Sequence, residues 1–183
     1  DQPFDARGRR LRQHEGKAAD DVLAAAQNRV YSMSLVHQLL HQEEGLQHLD
    51  LREYLATLVR EVAGQSNGQI STSVAGSSTH LSADHAIPLG LIVTELLLNA
   101  LKHAFPEGNS GSVHIRTAIE DGACEVVVED DGVGIAEGTV ANGESLGMRL
   151  VAALAEQISA EVVREAPEAG TRYTVRFPLH PAS

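Results

Sequence analysis

Glu95-Leu96-Leu97-Leu98-Asn99-Ala100-Leu101-Lys102-His103-Ala104-Phe105 sets a polar series into a stretch that is otherwise almost wholly apolar. The pattern reads as a buried helix. At about 3.6 residues per turn, Glu95, Asn99, Lys102 and His103 fall along one stripe of it. A Glu and an Asn one turn apart on a buried helix cost free energy unless a partner satisfies them, and a bound ligand is the simplest such partner. A helix with one wet edge, its Asn and Lys facing solvent, accounts for the same stripe, so the flanking sequence has to decide.

Upstream, Asp84 is placed to cap this helix with Pro88 in its first turn, and Pro106 and Gly108 end it. Downstream, Val113, Ile115, Thr117 and Ile119 alternate on one face of a strand, and Cys124, Val126, Val128 and Asp130 on one face of the next. A Gly-, Asn- and Ser-containing loop follows over 132–145, then a helix from Leu146 to Ile158 and strands near 160–165 and 171–177. A short strand with Ile70, Thr72 and Val74 precedes the long helix. Strands with helices on one side make an α+β two-layer α/β sandwich.

The first third has a different character. Leu23, Ala26, Val30, Met33, His37 and Leu40 recur at steps of three and four, the seam of a helix from about Ala18 to Glu44. After Gly45, Asp50 opens a second helix, with Glu53 completing a capping-box pair and Leu51, Leu55, Leu58 and Val62 forming the apolar face. This all-α hairpin must pack on a partner chain or on the domain that follows. The expected division is 1–66 for the helical region, its first helix incomplete, and 67–183 for the sandwich, with a linker at Gly64–Gly68.

Composition narrows the function classes. The 183 residues carry 43% hydrophobic side chains, only 3% aromatics and no Trp, so the core is built from Leu, Val, Ile and Ala. A net charge of −11 argues against nucleic acid and against an anionic membrane surface. The single Cys124 excludes an intrachain disulfide and suits a reducing cytoplasm. No apolar run approaches a membrane span, so no membrane contact is expected of this chain itself, and the N-terminus carries no signal-peptide pattern.

Within the sandwich, Asn99 offers a neutral oxygen suited to Mg²⁺, Lys102 is placed to meet phosphate charge, and Glu95 is placed to orient or deprotonate a water or hydroxyl. Asp130 lies on a buried strand face, where a carboxylate is expensive unless it is used; it can accept a hydrogen bond from an exocyclic amine such as that of adenine. Asp131, Gly132 and Gly134 then let the backbone turn and approach a flat ring, although a plain turn gives the same residues. Ser145-Leu146-Gly147 opens a helix whose free amides favour phosphate, with Gly147 leaving room for it. Thr171, after Gly170, turns its hydroxyl to the face shared by Tyr173, Val175 and Phe177.

These segments, in this order, resemble the ATP-binding fold shared by gyrase, heat-shock chaperone, histidine kinase and mismatch-repair ATPases. Glu95-x-x-x-Asn99-Ala-x-Lys102 looks like the N box, Asp130-x-Gly132-x-Gly134 like the adenine-binding G1 box, and Ser145-Leu146-Gly147 like a short G2 box, with Gly170-Thr171 closing the pocket. "TELLLNALKHAFP" and "NRVYSMSLVHQLL" are similar to bacterial sensor histidine kinases of the HWE-related class, over nearly all of residues 20–180. The HWE group proper carries a Trp-based motif that this chain lacks, which favours the sister group.

The resemblance implies ATP and Mg²⁺ as cofactors, Asn99 as the metal ligand, Glu95, Asn99 and Lys102 as catalytic residues, and His103 among the nucleotide-binding ones. It further implies a short lid between the G1 and G2 boxes, a homodimer through the N-terminal helices and a response-regulator receiver domain as partner. One departure stands out. The family's His-Arg-Val-Lys-Asn type phosphoacceptor motif, expected upstream of Asn28-Arg29-Val30, has no match in residues 1–27. The context of His14 does not fit, His37 sits in the helical seam, and His41 qualifies by position alone. The expected function is therefore the catalytic region of a sensor histidine kinase. A non-catalytic docking scaffold and an anti-sigma-type Ser/Thr kinase remain as alternatives, the N-terminal hairpin speaking against the second.

Overall fold

Residues 70–178 of the computed structural model build one five-stranded sheet with helices on one face, as the strand pattern predicts. The structure describes residues 48–64, 69–106, 109–134 and 145–179, with isolated helical positions at 23, 26, 27, 30, 31, 33, 34 and 38. In chain order the elements are β1 (His48–Asp50), α1 (Leu51–Ala63), β2 (Ile70–Gly76), β3 (His80–Ser82), α2 (Ala83–His103), β4 (Gly111–Glu120), β5 (Ala123–Asp130), α3 (Leu146–Gln157), β6 (Glu161–Glu165) and β7 (Thr171–Pro178). The sheet order is β2-β4-β5-β7-β6, with β2 and β4 parallel and the remaining pairs antiparallel.

The register follows from alternation. Ile115 pairs with Val128 and Val126 with Val175, placing apolar side chains of three strands on one face, where α2 covers them. Leu89, Ile92, Val93, Leu96 and Leu97 of α2 are fully or almost fully buried there. At about 1.5–3 kcal/mol for each such side chain, this burial outweighs the cost of holding one carboxylate, Glu95, in the same helix. By length and composition α2 is apolar enough to cross a membrane, contrary to the expectation that no run comes near. Its burial against the sheet and α3 makes it a core helix instead.

Three further details differ from the sequence reading. First, α2 begins at Ala83 with Ser82 as N-cap, so Asp84 lies within the first turn and Pro88 further inside the helix. Strand β3 runs directly into the helix and moves its start ahead of the acidic residue. Second, β1 and β3 form a small antiparallel ladder, with Leu49 opposite Leu81 and both buried, which neither short segment announces by periodicity. Third, Tyr54 of α1 is as buried as the leucines beside it.

Asp50 does cap α1, accepting the Glu53 N–H at 2.9 Å and the Ser78 hydroxyl at 2.7 Å. α1 packs on the domain that follows, against β2 and α2, with Tyr54 against Gly90. In the N-terminal seam, Leu23, Ala26, Val30 and Met33 are helical and exposed. His14, Asn28, Arg29, His37, Leu40, His41 and the linker residues 65–68 lie outside the described residues.

Candidate nucleotide site

The α2 stripe climbs from core to solvent over two turns. Glu95 is buried, Asn99 half-buried, and Lys102 and His103 exposed at the last turn. It faces the first turn of α3. The Asn99 side-chain Nδ2 donates to the Met148 thioether at 3.4 Å. Gly147 lies against the Glu95 carboxylate, and a Cβ there would stand 2.5 Å from Oε2. The first turn of α3 and the buried part of the stripe therefore touch at Gly147 and Glu95. Ser145 is the N-cap of α3, accepting the Met148 N–H at 3.3 Å, and Leu146 is exposed.

The second group gathers around Asp130, buried at the end of β5. Its Oδ1 accepts the Gly132 N–H at 3.0 Å and the Thr171 N–H at 3.2 Å. Both bonds fall on one oxygen, and Oδ2 accepts none among the described residues. Burial raises the carboxyl pKa, and the two backbone bonds oppose that rise without cancelling it. Thr171 is buried and directly opposite Asp130 in the β5–β7 register. Gly170 (φ +78°) and Gly134 (φ +69°) adopt left-handed conformations, and a Cβ on Gly134 would come 3.0 Å from the Gly170 carbonyl.

The two groups meet through the C-terminal end of α2. The Ala104 carbonyl accepts the Val133 N–H at 2.9 Å, and Gly132 lies so close that a Cβ would stand 2.2 Å from that carbonyl oxygen. Asp131 is a staple: it accepts the Ser112 N–H at 2.7 Å and the Ser112 hydroxyl, which holds its carboxyl below the usual carboxylate range. On the outer face, Arg172 donates to Glu129 at 2.7 Å, with Arg116 joining the same carboxylate. This ladder fixes the register one residue from Asp130 and Thr171. It is also why the Glu129 carboxyl sits below its ordinary pKa.

Of the residues the sequence singled out, the structure brings Glu95, Asn99 and Gly147 together, and Asp130, Gly132 and Thr171 together with Gly134 beside Gly170. Lys102 and His103 sit at the solvent end of the stripe, where Lys102 makes no ion pair among the described residues. Residues 135–144, most of the expected lid, lie outside the described residues. Met148 and the Ala104 carbonyl escaped the sequence reading, one being an ordinary apolar helix residue and the other a backbone atom. Cys124 is core filler: burial pushes its thiol up to about 12, so it is no nucleophile.

Residues 84–181 match the family model described as histidine kinase-, DNA gyrase B-, and HSP90-like ATPase. Residues 9–65 match one described as histidine kinase. The sensor histidine kinase PdtaS of Mycobacterium tuberculosis is 33% identical over 180 residues, which cover 93% of this chain and 34% of that protein. Blue-light-activated histidine kinase 2 of Erythrobacter litoralis is 34% identical over 127 residues, 68% of this chain and 36% of that protein. Among solved structures, the histidine kinase domain from the Erythrobacter litoralis EL346 blue-light activated histidine kinase superposes with a TM-score of 0.76 at 30% identity, covering 85% of this chain and 75% of that one. The chain belongs to the histidine kinase-, DNA gyrase B- and HSP90-like ATPase family, in its sensor histidine kinase branch. Membership implies an ATP-binding domain. The chain spans about a third of the length of the curated relatives it matches.

Proposed function

We propose that this chain is the catalytic region of a two-component sensor histidine kinase. In that reaction a histidine nitrogen attacks the γ-phosphorus of ATP, a P–N bond forms, the bond to the β-phosphate oxygen breaks and ADP leaves. The phosphoryl group then passes to an aspartate of a response-regulator receiver domain. The observation that supports this best is the buried Asp130, whose Oδ1 is held by two backbone N–H groups while Oδ2 accepts nothing among the described residues. That is the disposition an acceptor for the adenine amine requires. Gly132 and Gly134 bring the backbone close to the ring, and Thr171 closes the same end.

The remaining roles are assigned along α2 and α3. Lys102 neutralises phosphate charge and His103 lies beside it. The amides of Ser145, Leu146 and Gly147 at the start of α3 face the phosphates. Glu95 orients the attacking group or takes its proton. Asn99 fits Mg²⁺: its neutral side-chain oxygen suits a hard cation that takes its other ligands from phosphate oxygens and water. Bound there, Mg²⁺ would supply charge neutralisation on the phosphates. We assign residues from β1 onward to the catalytic unit, because α1 packs on β2 and α2, and the helical positions before it to a dimerising region. ATP supply puts this unit in the cytoplasm.

The test is nucleotide binding with and without Mg²⁺. Asn99→Ala should lose the Mg²⁺-dependent share of affinity and keep the rest; an unchanged Mg²⁺ dependence sinks the assigned role. Incubation with labelled ATP and an added phosphoacceptor helix should give acid-labile phosphate. Acid-stable phosphate on a partner would point to a Ser/Thr kinase instead, and no transfer at all to a docking scaffold.

A further inference from the structure

We propose that Met148 is a positioning residue for Asn99: its thioether takes an N–H of the Asn99 amide and so fixes which end of that amide is presented to a cation. The inference rests on the reading of Asn99 as the Mg²⁺ ligand. A side-chain amide has two ends of nearly equal shape, and only the oxygen end can ligate a cation. The opposite rotamer would turn the NH₂ group toward it.

The contact discriminates between the two ends. Nδ2 lies 3.4 Å from Met148 Sδ. A thioether sulfur accepts and cannot donate, so reversing the amide would set two acceptors against each other. With Nδ2 committed to sulfur, Oδ1 is the end left for the metal. An apolar residue of the same size would fill the space and leave the amide free to turn.

The turn of α3 that carries Met148 is set against α2 through its backbone. Gly147, one residue earlier, lies against the Glu95 carboxylate, whose Oε2 would stand 2.5 Å from a Cβ there. Glu95 and Asn99 are one turn apart on α2, so residues 147 and 148 of α3 meet residues 95 and 99 in step. Ser145 accepts the Met148 N–H at 3.3 Å and closes the same turn. This is the arrangement of an outer-shell partner that orients a metal ligand. The side chain involved is one that elsewhere in the chain would count as packing.

The experiment compares the ratio of ATP affinities with Mg²⁺ and with EDTA in the full chain and its Met148→Leu, Met148→Gln and Asn99→Ala variants, each checked for folding by thermal melting. Met148→Leu should weaken Mg²⁺-dependent binding by about tenfold, the low end of the range for losing an outer-shell partner, because sulfur is a weak acceptor. Its affinity in EDTA should match the parent's. Met148→Gln, whose side-chain oxygen can accept the same N–H, should keep the parent's ratio. If Asn99→Ala collapses the ratio and Met148→Leu leaves it intact, the positioning role is overturned while the metal role of Asn99 stands. If Asn99→Ala leaves the ratio intact, the metal reading fails and takes this inference with it. Equal losses with Mg²⁺ and EDTA in Met148→Leu, or a Gln variant that behaves like Leu, would make the contact plain packing and overturn the proposal.

Discussion

Gly170 is packed against the strand residue it serves: a Cβ at 170 would stand 1.7 Å from the Asp130 carbonyl oxygen and 2.9 Å from Asp130 Oδ1. The glycine also holds φ at +78°, so both conformation and space exclude a side chain. Because the obstructing atom is backbone, relief requires β5 and β7 to move apart at the pair that joins Asp130 to Thr171. Gly170→Ala should cost on the order of 1–3 kcal/mol of stability from strain alone. It should also reduce nucleotide affinity well beyond that of a neutral surface change. Thermal melting and ATP titration check the two arms. A Gly170→Ala protein that binds ATP like the parent would show that this register is not needed.

The Asp130 carboxyl has a raised pKa, chiefly from burial, and this fixes the sign of two pH effects. A carboxyl that binds protons more tightly when folded costs stability as pH rises from its ordinary value of 3.8 through the folded value, and returns it on acidification. Nucleotide binding runs the other way, because a protonated Asp130 no longer offers a full acceptor to the adenine amine. ATP affinity should therefore begin to fall on acidification at a pH above that expected for an ordinary aspartate. Asp130→Asn should lower affinity roughly tenfold to a hundredfold, matching a hydrogen bond to a charged group worth about 1.5–3 kcal/mol, and should remove this pH dependence. Persistence of the same acid limb in the variant would assign the titration to another group.

The sequence disclosed what depends on residue type and local spacing. Alternation along β5 put Asp130 on the buried face, and helical spacing put Glu95 and Asn99 on one stripe. It could not disclose contacts closed by distant chain. Asn99 and Met148 are 49 residues apart, and nothing in either neighbourhood marks the other. The contact between Gly147 and Glu95 across the cleft likewise exists only once α2 and α3 are docked. The start of α2 differs from the expected one for a related reason: β3 pairs with β1, a tertiary contact that carries the chain into the helix ahead of Asp84. The cap at Asp50 needs no such contact: its carboxylate accepts the N–H of Glu53, three residues on.

Tyr54 is fully buried and its hydroxyl has no hydrogen-bond partner among the described residues, so burial pushes its phenol far above the usual value. The hydroxyl sits where α1 crosses α2, and Gly90 leaves the space it occupies: a Cβ there would stand 1.7 Å from the tyrosine oxygen. An unsatisfied buried hydroxyl costs about 1–3 kcal/mol, so Tyr54→Phe should leave the midpoint of unfolding unchanged or raise it. Gly90→Ala should lower it, because overpacking costs about 1–3 kcal/mol of stability. Chemical denaturation of both variants decides; a clear loss of stability in Tyr54→Phe would mean the hydroxyl has a partner in solution.

Ser145 separates two explanations for the start of α3. Its hydroxyl accepts the Met148 N–H at 3.3 Å, so Ser145→Ala should cost about 0.5–2 kcal/mol through the lost cap. Aspartate caps as well as serine, and Ser145→Asp should therefore keep the stability of the parent. The two substitutions part company over ATP. If the nucleotide phosphates lie at this helix start, the added carboxylate repels them, and Ser145→Asp should bind ATP more weakly than Ser145→Ala despite being the more stable protein. Melting and titration of the pair read both quantities, and equal ATP affinity in the two variants would move the phosphates away from α3.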